Sequence, residues 1–188
     1  MDALLTTLVA AFLAEWGDKT QLLVIALAAR FRKPGAVLAG VAVAALANSA
    51  IAAIGGSLLS AIVTLRALSL LVALALVFAG VAALIRDKTP DMGRSWKVGA
   101  FLTALGCFFL LEFGDKTQFL TAALSAQFNA PALATAGATV GIVAANAPAA
   151  LLGERLARAL PLRGIRLGVG ILFLIVGLYV AVSAWRLI

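Results

Sequence analysis

The chain has 188 residues, of which 64% are apolar and only 12% are Asp, Glu, Lys or Arg. A soluble domain carries roughly twice that charged fraction, and a chain this short cannot hide so much apolar surface in a water-soluble core. The net charge of +7 does not point to nucleic acid, because the basic residues sit at the ends of apolar runs.

Six apolar runs follow one another, at about 3–29, 36–57, 67–85, 98–126, 131–152 and 167–185. Each is near the ~20 residues a helix needs to cross a bilayer. The first run does not read as a signal peptide. Its n-region carries Asp2 and no Lys or Arg, and Glu15, Asp18 and Lys19 interrupt the apolar stretch. Cys107 is the only cysteine, so no intrachain disulfide can form, and it reads as a small buried apolar residue. Histidine is absent.

The chain repeats itself at an offset of 97, without a gap. Of the 34 pairs from Met1/Val98 to Pro34/Pro131, 18 are identical. The best stretch is Glu15–Gln21 against Glu112–Gln118, and the register holds through Gly40/Gly137, Gly56/Gly153, Arg66/Arg163 and Gly80/Gly177. Each half, 1–91 and 92–188, holds three runs, so the second half enters the membrane from the opposite side. The expected fold is an all-α integral membrane protein of six transmembrane helices, arranged as two inverted three-helix repeats in one transmembrane domain. Secondary transporters recurrently use this design, with the site near midplane between the repeats.

Charge supports that topology. Arg30, Arg32 and Lys33 follow the first run; Arg86, Lys88, Arg94 and Lys97 follow the third; Arg155, Arg158, Arg163 and Arg166 follow the fifth. Only Arg66 and Arg186 fall on the other side. The positive-inside rule then puts the basic links in the cytoplasm and both termini outside.

Four of the eight acidic residues, Glu15, Asp18, Glu112 and Asp115, lie deep in the first and fourth runs, beside Lys19 and Lys116. Charges at such depth cost at least ~2.5–3.5 kcal/mol each and are functional candidates by default. On a regular helix Glu15, Asp18 and Lys19 share one face, with Glu15 and Lys19 an i,i+4 pair. Gly17 and Gly114 keep the backbone slim, or let it unwind to offer a carbonyl. Thr20, Gln21, Thr117 and Gln118 add neutral oxygens, although Thr20 points elsewhere if the helix is regular. Two motifs of net −1 each match one divalent cation in charge. Carboxylate, amide, hydroxyl and carbonyl oxygens suit Ca2+, Mn2+ or Mg2+ rather than Cu(I) or structural zinc. The alternative is that Glu15–Lys19 and Glu112–Lys116 are structural ion pairs, which leaves Asp18 and Asp115 unpaired. Asn48 and Asn146, near mid-span, are ligands or, on the favoured reading, interhelical hydrogen-bond donors. Gly137-xxx-Gly141 and Gly40-xxx-Ala44 read as close-packing faces.

Both Glu15–Thr20 and Glu112–Thr117 fit the signature E-x-G-D-K-[T/S]. The chain thereby resembles the GDT family, also known as uncharacterised protein family 0016, over essentially its whole length. The resemblance implies Mn2+ and/or Ca2+ transport in exchange for protons, within the wider calcium:cation antiporter group. It implies cation ligands at Glu15, Asp18, Glu112 and Asp115, with Lys19, Thr20, Lys116 and Thr117 as motif partners. The short central loop has no acidic run, and a bacterial inner membrane fits the lack of targeting extensions.

The expected function is therefore a secondary transporter of divalent cations and not an enzyme. No resident cofactor is expected; the cation is cargo, the bilayer is the partner, and nucleic acid is not. One chain holds both motifs, so a monomer suffices, and a homo-oligomer stays open. Proton exchange is expected because four carboxylates without a cation face only two lysines, so two acids take up protons. Asp18 and Asp115 are the expected carriers, since the lysines partly neutralise the two glutamates. The competing readings are an exporter of cationic amino acids or other small solutes, an intramembrane metal-dependent enzyme, and a non-transporting scaffold.

Overall fold

The computed structural model describes residues 1–85 and 96–185, which are helical without strands. The central link with Arg86, Lys88 and Arg94, the boundary between residues 91 and 92, and Arg186 lie outside the described residues. The helices are α1 (Asp2–Glu15), α2 (Lys19–Phe31), α3 (Pro34–Ser60), α4 (Leu65–Leu84), α5 (Gly99–Glu112), α6 (Lys116–Phe128), α7 (Pro131–Leu152), the short α8 (Glu154–Ala159) and α9 (Leu162–Trp185).

Local chemistry sets several of these ends, and it repeats at the offset of 97. Pro34 and Pro131 begin α3 and α7, where a missing N–H is no loss. Arg32 and Asn129 terminate α2 and α6 in the left-handed conformation, at φ 52° and 47°. Thr64 caps α4 by accepting from the Ala67 N–H.

Four helices, α3, α4, α7 and α9, are long and apolar enough to cross a membrane. The expected spans 3–29 and 98–126 are not continuous helices. Each is interrupted inside its motif. The first divides into α1 and α2 at Trp16–Asp18, the second into α5 and α6 at Phe113–Asp115. At 13 or 14 residues and about 1.5 Å per residue, no single piece reaches across ~30 Å of hydrocarbon.

The halves interlock. α1 and α2 pack on α7, while α5 and α6 pack on α3, so each interrupted helix lies against a long helix of the other half. α4 packs on α9. Large apolar side chains such as Leu58, Leu74, Ile175 and Leu178 face outward, as lipid contact requires. The glycine stripes are packing faces, as expected. A Cβ at Gly137 or Gly141 would strike the Leu4 or Leu8 carbonyl of α1, and one at Gly40 would strike the Phe101 carbonyl of α5.

Arg30 donates to the Trp96 carbonyl at 2.9 Å, so the links before α3 and before α5 share one end of the bundle. Ser60 bonds the Asn129 side chain at 3.0 Å and Ser69 that of Gln127 at 3.5 Å, which joins 60–69 to 127–129 at the other end.

Neighbouring glycines give a direct test of this packing. Gly56 abuts the Ala122 carbonyl, whereas a Cβ at Gly55 meets nothing within 4 Å. Gly56→Ala should lower stability by about 1–3 kcal/mol, and Gly55→Ala should leave it unchanged or raise it by up to about 1 kcal/mol through helix propensity. Thermal unfolding of the two variants in detergent measures the contrast.

Candidate cation site at two interrupted helices

Glycine makes each break. Gly17 has φ +73° and Gly114 has φ +76°, a region that L side chains rarely adopt. Asp18 and Asp115 follow in extended conformation and lead into α2 and α6. A glutamine one turn on holds each break open. Gln21 Oε1 accepts the Gly17 N–H at 3.0 Å, and Gln118 Oε1 accepts the Gly114 N–H at 2.6 Å. The same two amides donate to the opposite half, Gln21 to the Ala145 carbonyl at 2.9 Å and Gln118 to the Asn48 carbonyl at 3.3 Å.

The break redirects the lysines. Lys19 does not pair with Glu15; its Nζ lies 3.0 Å from Asp115 Oδ1. Lys116 bonds Asp18 Oδ1 and lies 3.7 Å from Asp115 Oδ2. The expected i,i+4 pairs fail because Trp16–Asp18 and Phe113–Asp115 are not helical, so the facing of Glu15 and Lys19 on one turn is lost. The aspartates expected to be unpaired are the ones the lysines hold. The reason for choosing them as proton carriers is thereby removed.

The two glutamates differ. Glu15 is fully buried and accepts from Thr20 at 2.8 Å, Thr117 at 3.0 Å and Asn146 at 3.2 Å. Thr20, which a regular helix would turn away, also reaches Asp18 at 3.3 Å. Glu112 is equally buried, yet neither of its oxygens has a hydrogen-bond partner. A buried carboxyl of that kind needs either a proton or a cation. The four acids do not form one ligand set in this conformation. Among the described residues no three acidic or thiol side chains lie close enough to hold a metal ion, because the two ammonium groups sit among the carboxylates.

Asn48 and Asn146 both act as donors, as favoured. Asn48 Nδ2 bonds the Phe109 carbonyl at 3.1 Å, and Asn146 Nδ2 also bonds the Ile142 carbonyl at 3.0 Å. Their Oδ1 atoms are buried without partners. Ser49, which sequence reasoning passed over, lies beside Asn48 with its hydroxyl equally unpartnered. The signal was present: Ser49 is the repeat equivalent of Asn146.

The two breaks have different surroundings. Gly17 lies under the start of α9, against the Leu162 carbonyl and Arg166 Cβ, while nothing lies within 4 Å of a Cβ at Gly114. The Asp18 and Lys116 side chains are only 3% and 4% exposed, against 16% for Asp115 and 28% for Lys19. A cavity of about 540 Å3 meets the second break, bounded by Gly55, Leu59, Phe78, Gly114, Asp115 and Phe119. Another of about 630 Å3 is apolar and touches no motif residue.

The crossed pairing is testable without transport. Lys116→Met removes the buried ammonium from Asp18 and from beside Asp115 and should cost about 3–5 kcal/mol. Adding Asp18→Asn should recover much of that loss, whereas adding Glu112→Gln should recover less. Expression level and melting temperature in detergent read both.

The family model for the divalent cation/proton antiporter GDT1 matches residues 3–91 and 100–187. The chain is 36% identical over 182 residues to the "Putative manganese exporter" of Vibrio cholerae serotype O1, covering 96% of this chain and 91% of that relative. No solved structure matches it. Both motifs fall within the matched residues, and the chain belongs to the GDT1 family of divalent cation/proton antiporters, which makes it a membrane transporter rather than an enzyme.

Proposed function

We propose that the chain exports Mn2+, with Ca2+ as the alternative cargo, in exchange for protons through the paired breaks. The single observation that carries this reading is Glu112, a fully buried carboxyl with no partner. Such a group is stable with a proton or with a cation, and exchange between the two is antiport. Oxygen donors dominate its surroundings, which suits hard ions, and the Vibrio relative's name favours manganese.

On this reading α1–α2 and α5–α6 each cross the membrane as interrupted helices. With the four long helices they make six crossings, in two inverted repeats, 1–91 and 92–188. Glu15, Asp18, Glu112 and Asp115 are the charged ligands, engaged in turn as the lysines release them. The basic end faces the cytoplasm and both termini lie outside, in a bacterial inner membrane. The cargo needs no resident cofactor, and one chain supplies both motifs.

The 540 Å3 cavity is then the outer route to the site. Irregular backbone at membrane depth is tolerated only inside protein or beside water, and the uncovered break at Gly114 meets that condition if this cavity admits water. Gly55→Trp, placed where a Cβ meets no atom, should cut cation flux at least about tenfold, equivalent to about 1.4 kcal/mol, while the melting temperature is kept. The same change at Gly35, which is equally unobstructed but at the start of α3, should not.

Proteoliposomes test the exchange itself. An imposed pH gradient should drive Mn2+ uphill, with proton counterflow reported by an interior pH dye. Glu112→Gln should reduce that flux by about two orders of magnitude, the scale of losing roughly 3 kcal/mol. Mn2+ flux that ignores the gradient at clamped voltage, with a silent dye, would replace the exchanger with a uniporter or channel.

A further inference from the structure

α3 carries two adjacent polar residues, Asn48 and Ser49, past the second break. They border a crevice together with Glu112, Thr117, Gln118 and Ile142, and it has no room for a water molecule. Asn48, Ser49 and Glu112 are 1%, 2% and 1% exposed. Asn48 Oδ1, Ser49 Oγ and both Glu112 carboxylate oxygens have no hydrogen-bond partner. Unsatisfied buried polar atoms are exceptions in folded proteins, and four of them belong to residues bordering this one crevice.

Ordinary helix chemistry does not account for them. A serine or threonine inside a helix commonly bonds the carbonyl four residues back. Thr7, Thr121 and Thr139 do so. Ser49 does not. The repeat supplies the contrast. Asn146, at the equivalent position, reaches Glu15 and donates to it at 3.2 Å. Serine is shorter and does not reach Glu112, so the crevice stays and the carboxyl stays unmet. On Asn48, the Nδ2 bond to the Phe109 carbonyl fixes which end of the amide donates and leaves Oδ1 as an acceptor.

We infer that Asn48 Oδ1 and Ser49 Oγ join the Glu112 carboxylate as ligands of the dehydrated divalent cation. The inference rests on the exchanger reading and adds two neutral ligands from α3 to it. The set is all oxygen, which selects a hard ion such as Mn2+ or Ca2+ over a soft one. Oxygen ligands stand about 2.0–2.6 Å from such ions, closer than the ~2.7 Å of a hydrogen bond to water. A crevice closed to water is therefore not closed to the ion. Binding would satisfy the orphaned oxygens of Asn48, Ser49 and Glu112 at once.

The test is Mn2+ alone, titrated into the purified full chain in detergent, with free Mn2+ followed by electron paramagnetic resonance. Ser49→Ala should weaken binding by roughly tenfold, the scale of one polar contact. Without Mn2+ it should melt no lower than the wild type, since it removes an unsatisfied hydroxyl. Asn48→Ala should also weaken binding, and Asn48→Asp should restore it. A mere strut to the Phe109 carbonyl predicts the reverse, because aspartate offers no donor there and should do as badly as alanine. Wild-type affinity in Ser49→Ala, or Asn48→Asp no better than Asn48→Ala, overturns the assignment while the exchanger reading stands. A wild-type chain that binds no Mn2+ and moves none overturns both.

Discussion

Six ionisable side chains, four acids and two lysines, meet inside a membrane protein, and the glycine breaks decide how they are balanced. On an unbroken helix each lysine would answer the glutamate of its own motif and leave the aspartate unpaired. With Gly17 and Gly114 in the left-handed region, each lysine leaves its own turn and reaches the aspartate of the other motif. The glutamines then tie each break to a long helix of the opposite half. The interlock of α1–α2 with α7 and of α5–α6 with α3 follows the same crossing. Burying such charges is tolerable only when partners are supplied with good geometry, and here the partners come from the other half. A single half would lack the lysine that its aspartate bonds most closely.

How much of this could be read from sequence depends on the scale of the feature. The long helices are legible because apolar length is a strong signal, and Pro34 and Pro131 open two of them. The repeat is legible from identity at a fixed offset. The broken helices were legible only as an alternative, unwinding at the glycine, because Gly17 and Gly114 sit in runs whose composition is helical on both sides. A glycine inside such a run is tolerated as often as it interrupts. The pairing of Glu15 with Lys19 and the averted Thr20 both belong to a regular helix, and the break removes both. The close-packing glycines needed no such assumption about their own backbone, and their faces are as expected. Ser49 was hidden by being one small polar residue in an apolar helix. Only its alignment with Asn146 distinguishes it.

The halves agree in motif but not in surroundings. Thr20 and Thr117 both serve Glu15, and neither serves Glu112. One break lies beneath α9, while the other borders a cavity. Since seven-residue stretches that differ only at Trp16/Phe113 take unlike environments, the difference comes from how the long helices lie over them. The start of α9, Leu162 to Arg166, covers Gly17. Its repeat equivalent, Leu65 to Ser69 at the start of α4, does not cover Gly114.

That asymmetry bears on movement. Packed helices are bistable rather than continuously deformable, so a change at one break must be matched elsewhere. Lys116 supplies the coupling, because its ammonium bonds Asp18 beside the covered break and lies 3.7 Å from Asp115 beside the uncovered one. On the proposed reading, a cation arriving at Asp115 from the cavity would compete first with Lys19, the more exposed of the two lysines. Displacing Lys19 leaves Lys116 and the cation on the same carboxylate. Their repulsion would weigh against Lys116 staying near Asp115 and leave it to Asp18, which it already bonds. The ion pairs thus link the two motifs directly.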